Sequence, residues 1–300
     1  MSNTQEASPG EEPGRRERTN HLVPDAEPWP LDSDEPIIAL EEVHKSFEHE
    51  EVLKGLSLEI TPGEITVIIG ASGSGKSVLI KHMNGLLKPD EGEVRLFGES
   101  RTDIPAQQLV RLRKRIGTLF QNYALFDSMS VLKNVTFPLV ENNAMGEEEA
   151  NEHARQLLEM LGLGDALGKM PPELSGGMKK RVSLARALVT NPEVVLFDEP
   201  TTGLDPIMME FVDGLIEETT EDFALTSVLI SHDMASTFRL ADSIAVLHDG
   251  QIIAHDTPRA IRESDDERVG ELIRGIREEE VNIQGAATRN PSAASAASKW

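Results

Sequence analysis

Eight consecutive residues constrain this chain more than any others: Gly70-Ala71-Ser72-Gly73-Ser74-Gly75-Lys76-Ser77. They fit G-x-x-x-x-G-K-[ST], follow the apolar run Ile65–Ile69, and open a helical run that continues through Val78 to Leu87. Glycines at such a turn let successive backbone N–H groups curl around a phosphate, and the helix N-terminus adds positive potential. Lys76 is then placed to reach outer phosphates, and the Ser77 hydroxyl to hold Mg²⁺. The bland alternative is a glycine-rich strand-to-helix turn without a ligand.

A second anchor follows roughly 120 residues later, a spacing read along the chain. Val194-Val195-Leu196-Phe197 is an apolar strand that ends in two carboxylates, Asp198 and Glu199. Charges at the tip of a buried strand need partners. Asp198 is placed for the Mg²⁺ shell, and Glu199, one residue further out, for polarising an attacking water. The competing reading is a solvated loop start.

Around these anchors the pattern alternates. Strand-like runs occur at Ile37–Leu40, Ile65–Ile69, Glu93–Phe97, Val194–Phe197, Ser227–Ile230 and Ile244–Leu247, and helical patterns at Lys76–Leu87, Glu147–Leu161, Met178–Val189 and Ile207–Thr219. Strands alternating with helices imply an α/β fold around a mainly parallel sheet. Asp249-Gly250 between Ser243–His248 and Gln251–His255 suits a two-residue hairpin turn. Residues 1–36, rich in Pro and Glu, read as a disordered acidic arm, and 274–300 as a flexible tail, leaving a body over 37–273.

Charge and composition then exclude several classes. The net charge is −23, and residues 37–262 carry −14 of it, so the acidity belongs to the body. Such a surface repels nucleic acid and bare anionic lipid. Two readings of the acidity stand: an ordinary acidic protein, or a salt-rich cytoplasm that screens dense carboxylates. No apolar run approaches the roughly 20 residues of a membrane-spanning helix, and residues 1–36 lack a signal peptide's apolar stretch. Membrane contact is therefore expected through a partner. Cysteine is absent, which rules out disulfides and thiolate metal sites.

A third anchor, Leu174-Ser175-Gly176-Gly177-Met178, precedes Lys179-Lys180-Arg181 and a helical run. Two glycines at a helix start make another anion-binding turn, so one chain holds two phosphate-gripping loops. Here the chain resembles the ABC ATPase family, whose signature reads LSGGQ. The resemblance covers about residues 37–262. It implies a P-loop NTPase of the ABC type, with a mainly parallel core, an antiparallel β subdomain and a helical signature subdomain over about 122–190. It further implies that Ser175, Gly176, Gly177, Met178 and Asp205 of one subunit cover the ATP held by Gly70–Val78 of a second, giving a homodimer. Gln121, in Leu119-Phe120-Gln121-Asn122, looks like the glutamine that joins Mg²⁺ and the attacking water. Gly203-Leu204-Asp205 looks like the loop that crosses to the partner. His232 looks like the histidine that senses the γ-phosphate, and Phe47 like the aromatic that stacks on adenine.

Met178 departs from the family pattern, because a thioether cannot donate the hydrogen bond of a glutamine amide. LSGGM, with Phe120-Gln-Asn-Tyr-Ala-Leu-Phe-Asp-Ser-Met-Ser-Val-Leu-Lys-Asn-Val-Thr-Phe-Pro-Leu139, is similar to the Mla-type ATPases. That resemblance implies lipid cargo, a separate membrane permease, an MCE-domain lipid carrier, and a cytoplasmic position on the inner membrane face. Tyr123–Met129 is the stretch expected to receive a permease helix, with Leu125, Phe126 and Met129 as apolar anchors and no basic charge nearby in the sequence. The alternatives are another cargo (amino acid, ion or lipoprotein) or an ABC ATPase of DNA repair or translation. The acidic body and the short interval from Gln121 to Glu217 speak against the last.

Overall fold

The computed structural model describes residues 22, 23, 25–48, 50–120 and 123–276. In chain order it holds β1 (Ile38–Phe47), β2 (Glu50–Ile60), β3 (Ile65–Ile69), α1 (Lys76–Met83), β4 (Glu91–Leu96), β5 (Glu99–Ser100), α2 (Ala106–Arg113) and β6 (Ile116–Leu119). There follow α3 (Val131–Glu141), α4 (Glu147–Met160), α5 (Gly176–Leu188), β7 (Val194–Asp198), α6 (Pro206–Asp222), β8 (Thr226–Ile230) and α7 (Met234–Leu240). The hairpin β9 (Ser243–His248) and β10 (Gln251–Asp256) leads to α8 (Pro258–Arg262) and a last helical stretch, 267–276.

Two sheets result. One is antiparallel, in the order β2-β1-β4-β5; the other runs β10-β9-β3-β8-β7-β6, parallel except for the β10 edge. The central strands β3, β7 and β8 are buried and mostly apolar because both faces are covered, with Thr66, Thr226 and Ser227 as buried polar exceptions. Successive residues supply opposite layers. Val67, Ile69, Val195, Phe197, Leu229 and Val246 pack with the helical side, whereas Ile68, Leu196, Val228, Ile230 and Leu247 pack with α1 and the antiparallel sheet. Phe197 is fully buried, and truncation to alanine at such a site costs about 3–5 kcal/mol. Helices α3, α4 and α5 pack on one another as a helical unit.

Several elements escaped the sequence pattern. β2 carries Glu50, Glu51, Lys54 and Glu59, with Gly55 at φ 73 in its middle, which blurs a two-residue alternation. α3 contains Pro138, and α7 is only seven residues long. α1 stops at Met83 rather than Leu87, because Asn84 leaves helical geometry and Gly85 takes φ 69.

The packed body also begins before residue 37. The Trp29 ring meets Phe97 edge-on at 6.5 Å, and its backbone N–H donates to Glu193 Oε2 at 2.7 Å. Glu193 pairs at 2.5 Å with Arg115, whose guanidinium also donates to the Glu27 carbonyl and covers the Phe97 ring. Val23 is buried as well, so residues 22–36 do not form the free arm expected of them; 1–21 lie outside the described residues. At the other end Ile276 is buried, beyond the boundary expected at 273, and 277–300 lie outside the described residues.

Candidate functional site

The C-terminal ends of β3, β7 and β8 lie side by side, with Asp198 opposite Ile230 in register. In open parallel sheets this edge is where ligands bind. β3 runs straight into Gly70, where a Cβ would sit 2.5 Å from the Leu247 carbonyl oxygen, so only glycine lets the turn pass the end of β9. Gly75 caps α1 at φ 104 without a side-chain hydrogen bond. The first-turn N–H groups of α1 are thus left for a ligand.

Lys76 Nζ donates to the carbonyls of Gly70 at 2.7 Å and Ala71 at 2.8 Å, which folds the ammonium back over the turn. Ser74 Oγ is buried without a hydrogen-bond partner among the described residues. A cavity of about 580 Å³ opens here, walled by Gly70, Ser72, Gly73 and Gly75–Val78, with Glu199 and His232 facing them. These are groups expected from the sequence, brought together from three strand ends. Val52 and Ile276 complete the wall, and neither was foreseen. Val52 lies on the unrecognised β2, and Ile276 is nearly 200 residues from the phosphate loop, so no local pattern announces either.

Glu199 stands at φ 50, just past β7. Its carboxylate accepts from Thr202 Oγ1 at 3.0 Å and lies 3.8 Å from His232 Nδ1, an ionic contact longer than a hydrogen bond. The polar contact with His232 comes first in holding Glu199 below the usual carboxylate range, opposed by burial. The same contact raises His232 above its ordinary value. Asp198 moves the other way: burial and the adjoining Glu199 charge push its carboxyl up, against the pull of Lys76. A cation between Ser77 and Asp198 would relieve that strain. Among the described residues no group of three or more His, Cys, Asp or Glu could hold a metal.

The other expected residues lie apart. Ser175 caps α5, its hydroxyl accepting from the Met178 N–H at 3.3 Å, with Gly176 exposed beside it. Asp205 caps α6, accepting from Ile207 and Met208. Neither group is in the cavity wall, and neither is Phe47, which sits 43% exposed at the end of β1 with Lys45 Nζ 5.6 Å from its ring. Gln121 lies outside the described residues.

A second depression, about 690 Å³, is lined by Leu86, Val110, Phe120, Phe126, Phe137 and others. Of the three anchors expected at Tyr123–Met129, Phe126 lines it, 40% exposed and 4.7 Å from the Phe137 ring, while Leu125 packs against the core and Met129 is half-buried. The stretch itself carries no basic charge, but Arg113, Lys114 and Arg186, from elements remote in sequence, also line the depression.

A glycine turn on a helix N-terminus, an inward lysine and a carboxylate–histidine pair across the cavity define a nucleoside-triphosphatase of the P-loop class. Residues 53–202, half the chain, match the family model described as ABC transporter. The chain belongs to that family and is an ATP-binding, ATP-hydrolysing transporter subunit. It is 38% identical over 224 residues to an intermembrane phospholipid transport system ATP-binding protein, MlaF, of Haemophilus influenzae, covering 75% of this chain and 85% of that one. It is 40% identical over 207 residues to the methionine import ATP-binding protein MetN 1 of Salmonella typhimurium, covering 69% and 60%. Among solved structures, a dimeric ATP-binding cassette in a post-hydrolysis state with ADP and Pi aligns with TM-score 0.67 at 34% identity, covering 74% of this chain and 99% of that one. Among the described residues no helix is long and apolar enough to cross a membrane.

Proposed function

We propose that the chain drives phospholipid transport as one half of an ATP-closed dimer seated on a separate permease. The observation that carries the catalytic part is Lys76, Glu199 and His232 meeting across the phosphate-loop cavity. The 38% identity to MlaF supports the cargo. In this reading the backbone donors of Gly70–Ser77 hold the phosphates, and Lys76 trades the Gly70 and Ala71 carbonyls for phosphate oxygens. Glu199, kept ionised beside His232, orients the water and accepts its proton. His232, with its raised affinity for a proton, presents a donor to the γ-phosphate. Ser77 and Asp198, joined by Gln121, would hold Mg²⁺, which when bound neutralises charge on the phosphates. Ser175–Met178 and Asp205 meet the nucleotide of the opposite subunit, which explains why they stand outside their own cavity wall. Phe47 is the residue that stacks on adenine in this reading.

The groove around Phe126 receives the permease helix. An MCE-domain lipid carrier completes the assembly, and this chain sits on the cytoplasmic face of the membrane through the permease. The Glu199→Gln variant tests the chemistry: nucleotide binding is retained, and hydrolysis falls by about two to four orders of magnitude. Near wild-type hydrolysis by that variant would remove Glu199 from its role. Copurification of the permease, followed by identification of bound lipid, tests the cargo. The MetN relative makes an amino-acid importer the second reading, and an amino acid bound in place of lipid would favour it.

A further inference from the structure

Helix α5 starts at the signature turn and passes behind the tip of β7. Lys180, on its second turn, is only 3% exposed, a rare position for a lysine. It lies among Leu119, Leu184, Phe197, Val212 and Ile216. Its ammonium donates to the carbonyl of Pro200 and lies 5.8 Å from the Tyr123 ring. Burial draws its pKa down to about 8, with the charge of Glu199 opposing the fall, so it remains a cation at neutral pH.

A cation in such a lining is costly unless its partner is fixed. The partner here is the carbonyl of the residue directly after Glu199. The Glu199 N–H donates to the Ile230 carbonyl at 3.1 Å, Thr202 bonds the carboxylate and donates its N–H to the Glu199 carbonyl at 3.4 Å, and Lys180 holds the Pro200 carbonyl. Ile230 belongs to the parallel sheet and Thr202 to the turn itself, whereas Lys180 comes from the helical unit that carries Ser175.

We propose that Lys180 is a positioning residue that ties the Glu199–Pro200 turn to the signature helix, so that seating of that helix on the partner's nucleotide sets the carboxylate of its own chain. The inference rests on the assignment of Glu199 as the group that orients water. It makes each site's chemistry conditional on the other site's nucleotide. A side chain acting through another in this way changes turnover rather than nucleotide affinity.

The test uses Lys180→Met in the full chain, with Glu199→Gln in parallel. Methionine fills the same apolar lining, so the melting temperature is expected to stay level or rise, as for other buried charges replaced by apolar groups of similar size. The kcat is expected to fall about tenfold to hundredfold, the scale of a displaced catalytic group. KM and the affinity for a fluorescent ATP analogue should stay within about twofold. Lys180→Met should add no further loss in the Glu199→Gln background. A kcat within about threefold of wild type overturns the proposal. So does a fall in kcat matched by weaker analogue binding and a lower melting temperature, which marks a structural lysine. If the methionine variant does not fold, Lys180→Gln takes the same measurements. Should Glu199→Gln itself hydrolyse normally, the Glu199 assignment fails first. Should it be inactive while Lys180→Met turns over like wild type, only the Lys180 proposal falls.

Discussion

The two glycine turns of this chain both open helices, yet they are finished differently. At α1 the cap is Gly75, at φ 104 and with no side chain to bond the first turn. At α5 the cap is Ser175, whose hydroxyl already accepts from Met178 N–H. The first turn stands open, with a lysine folded inward and a buried Ser74 hydroxyl that has no hydrogen-bond partner among the described residues. The second is satisfied by itself and offers little beyond the Gly176 and Gly177 donors and the outer lone pair of Ser175. An open cradle leaves its donors for a ligand. In the proposed function, the self-capped turn suits an encounter with the opposite subunit's nucleotide that must be made and released.

The sharpest way to break this comparison is to remove the lysine. Lys76→Ala is expected to weaken ATP binding, whereas Ser175→Arg is expected to leave binding by the isolated subunit intact and block closure of the pair. Mixing the two variants should leave at most one intact composite site per heterodimer. Activity regained on mixing, measured against protein concentration, checks this, and a fully active monomer independent of concentration contradicts it.

A smaller effect is expected from Ser175→Ala. Losing a helix cap costs about 1 kcal/mol, within a range of roughly 0.5–2. In a chain of this size that lowers the melting temperature by about 2–4 °C. The equivalent change at α1, Gly75→Ala, has no cap to lose; it instead forces a Cβ onto a φ of 104 and to within 3.1 Å of Leu53. Differential scanning calorimetry of the two variants separates the designs. A stable Gly75→Ala with normal ATP affinity would show that the open turn is not constrained as described.

The smallest effect is electrostatic. His232 has a raised pKa in the folded chain, from its contact with Glu199, so its stabilisation is fully present below the ordinary value of 6.5 and is lost as pH rises through the raised one. Glu199 is depressed, so its share is present above 4.5 and is lost as pH falls through the depressed value. The melting-temperature gap between wild type and His232→Gln, without nucleotide, should therefore shrink as pH is taken from 6 to 8.5. A gap that widens over that range would mean the pair does not stabilise the fold.

How far the sequence announced this site follows from how local each feature is. Gly70–Ser77 is legible because its ligand chemistry is packed into eight consecutive backbones. Asp198 and Glu199 are legible because two carboxylates at the end of Val194–Phe197 break an apolar strand. Val52 was missed because β2 mixes charges with a central glycine. Lys180 was passed over as one of three basic residues after the signature, since the Pro200 carbonyl that engages it lies 20 residues away. The basic lining of the Phe126 groove comes from α2, the turn after it and α5, so a window around Tyr123–Met129 contains none of it.

The Trp29 latch bears on the order in which this chain can assemble. Its seat, Glu193, lies 164 residues downstream, next to the start of β7. During synthesis the N-terminal segment leaves the ribosome first but has nowhere to settle until Arg115 and Glu193 have met. Contacts of such long separation form late, because the intervening loop must close first. A segment made before its seat is therefore fastened among the last, after Arg115 and Glu193 are in place. Its docking reports completion of the parallel sheet: quenching or a spectral shift of Trp29 fluorescence in refolding should trail the formation of helical structure.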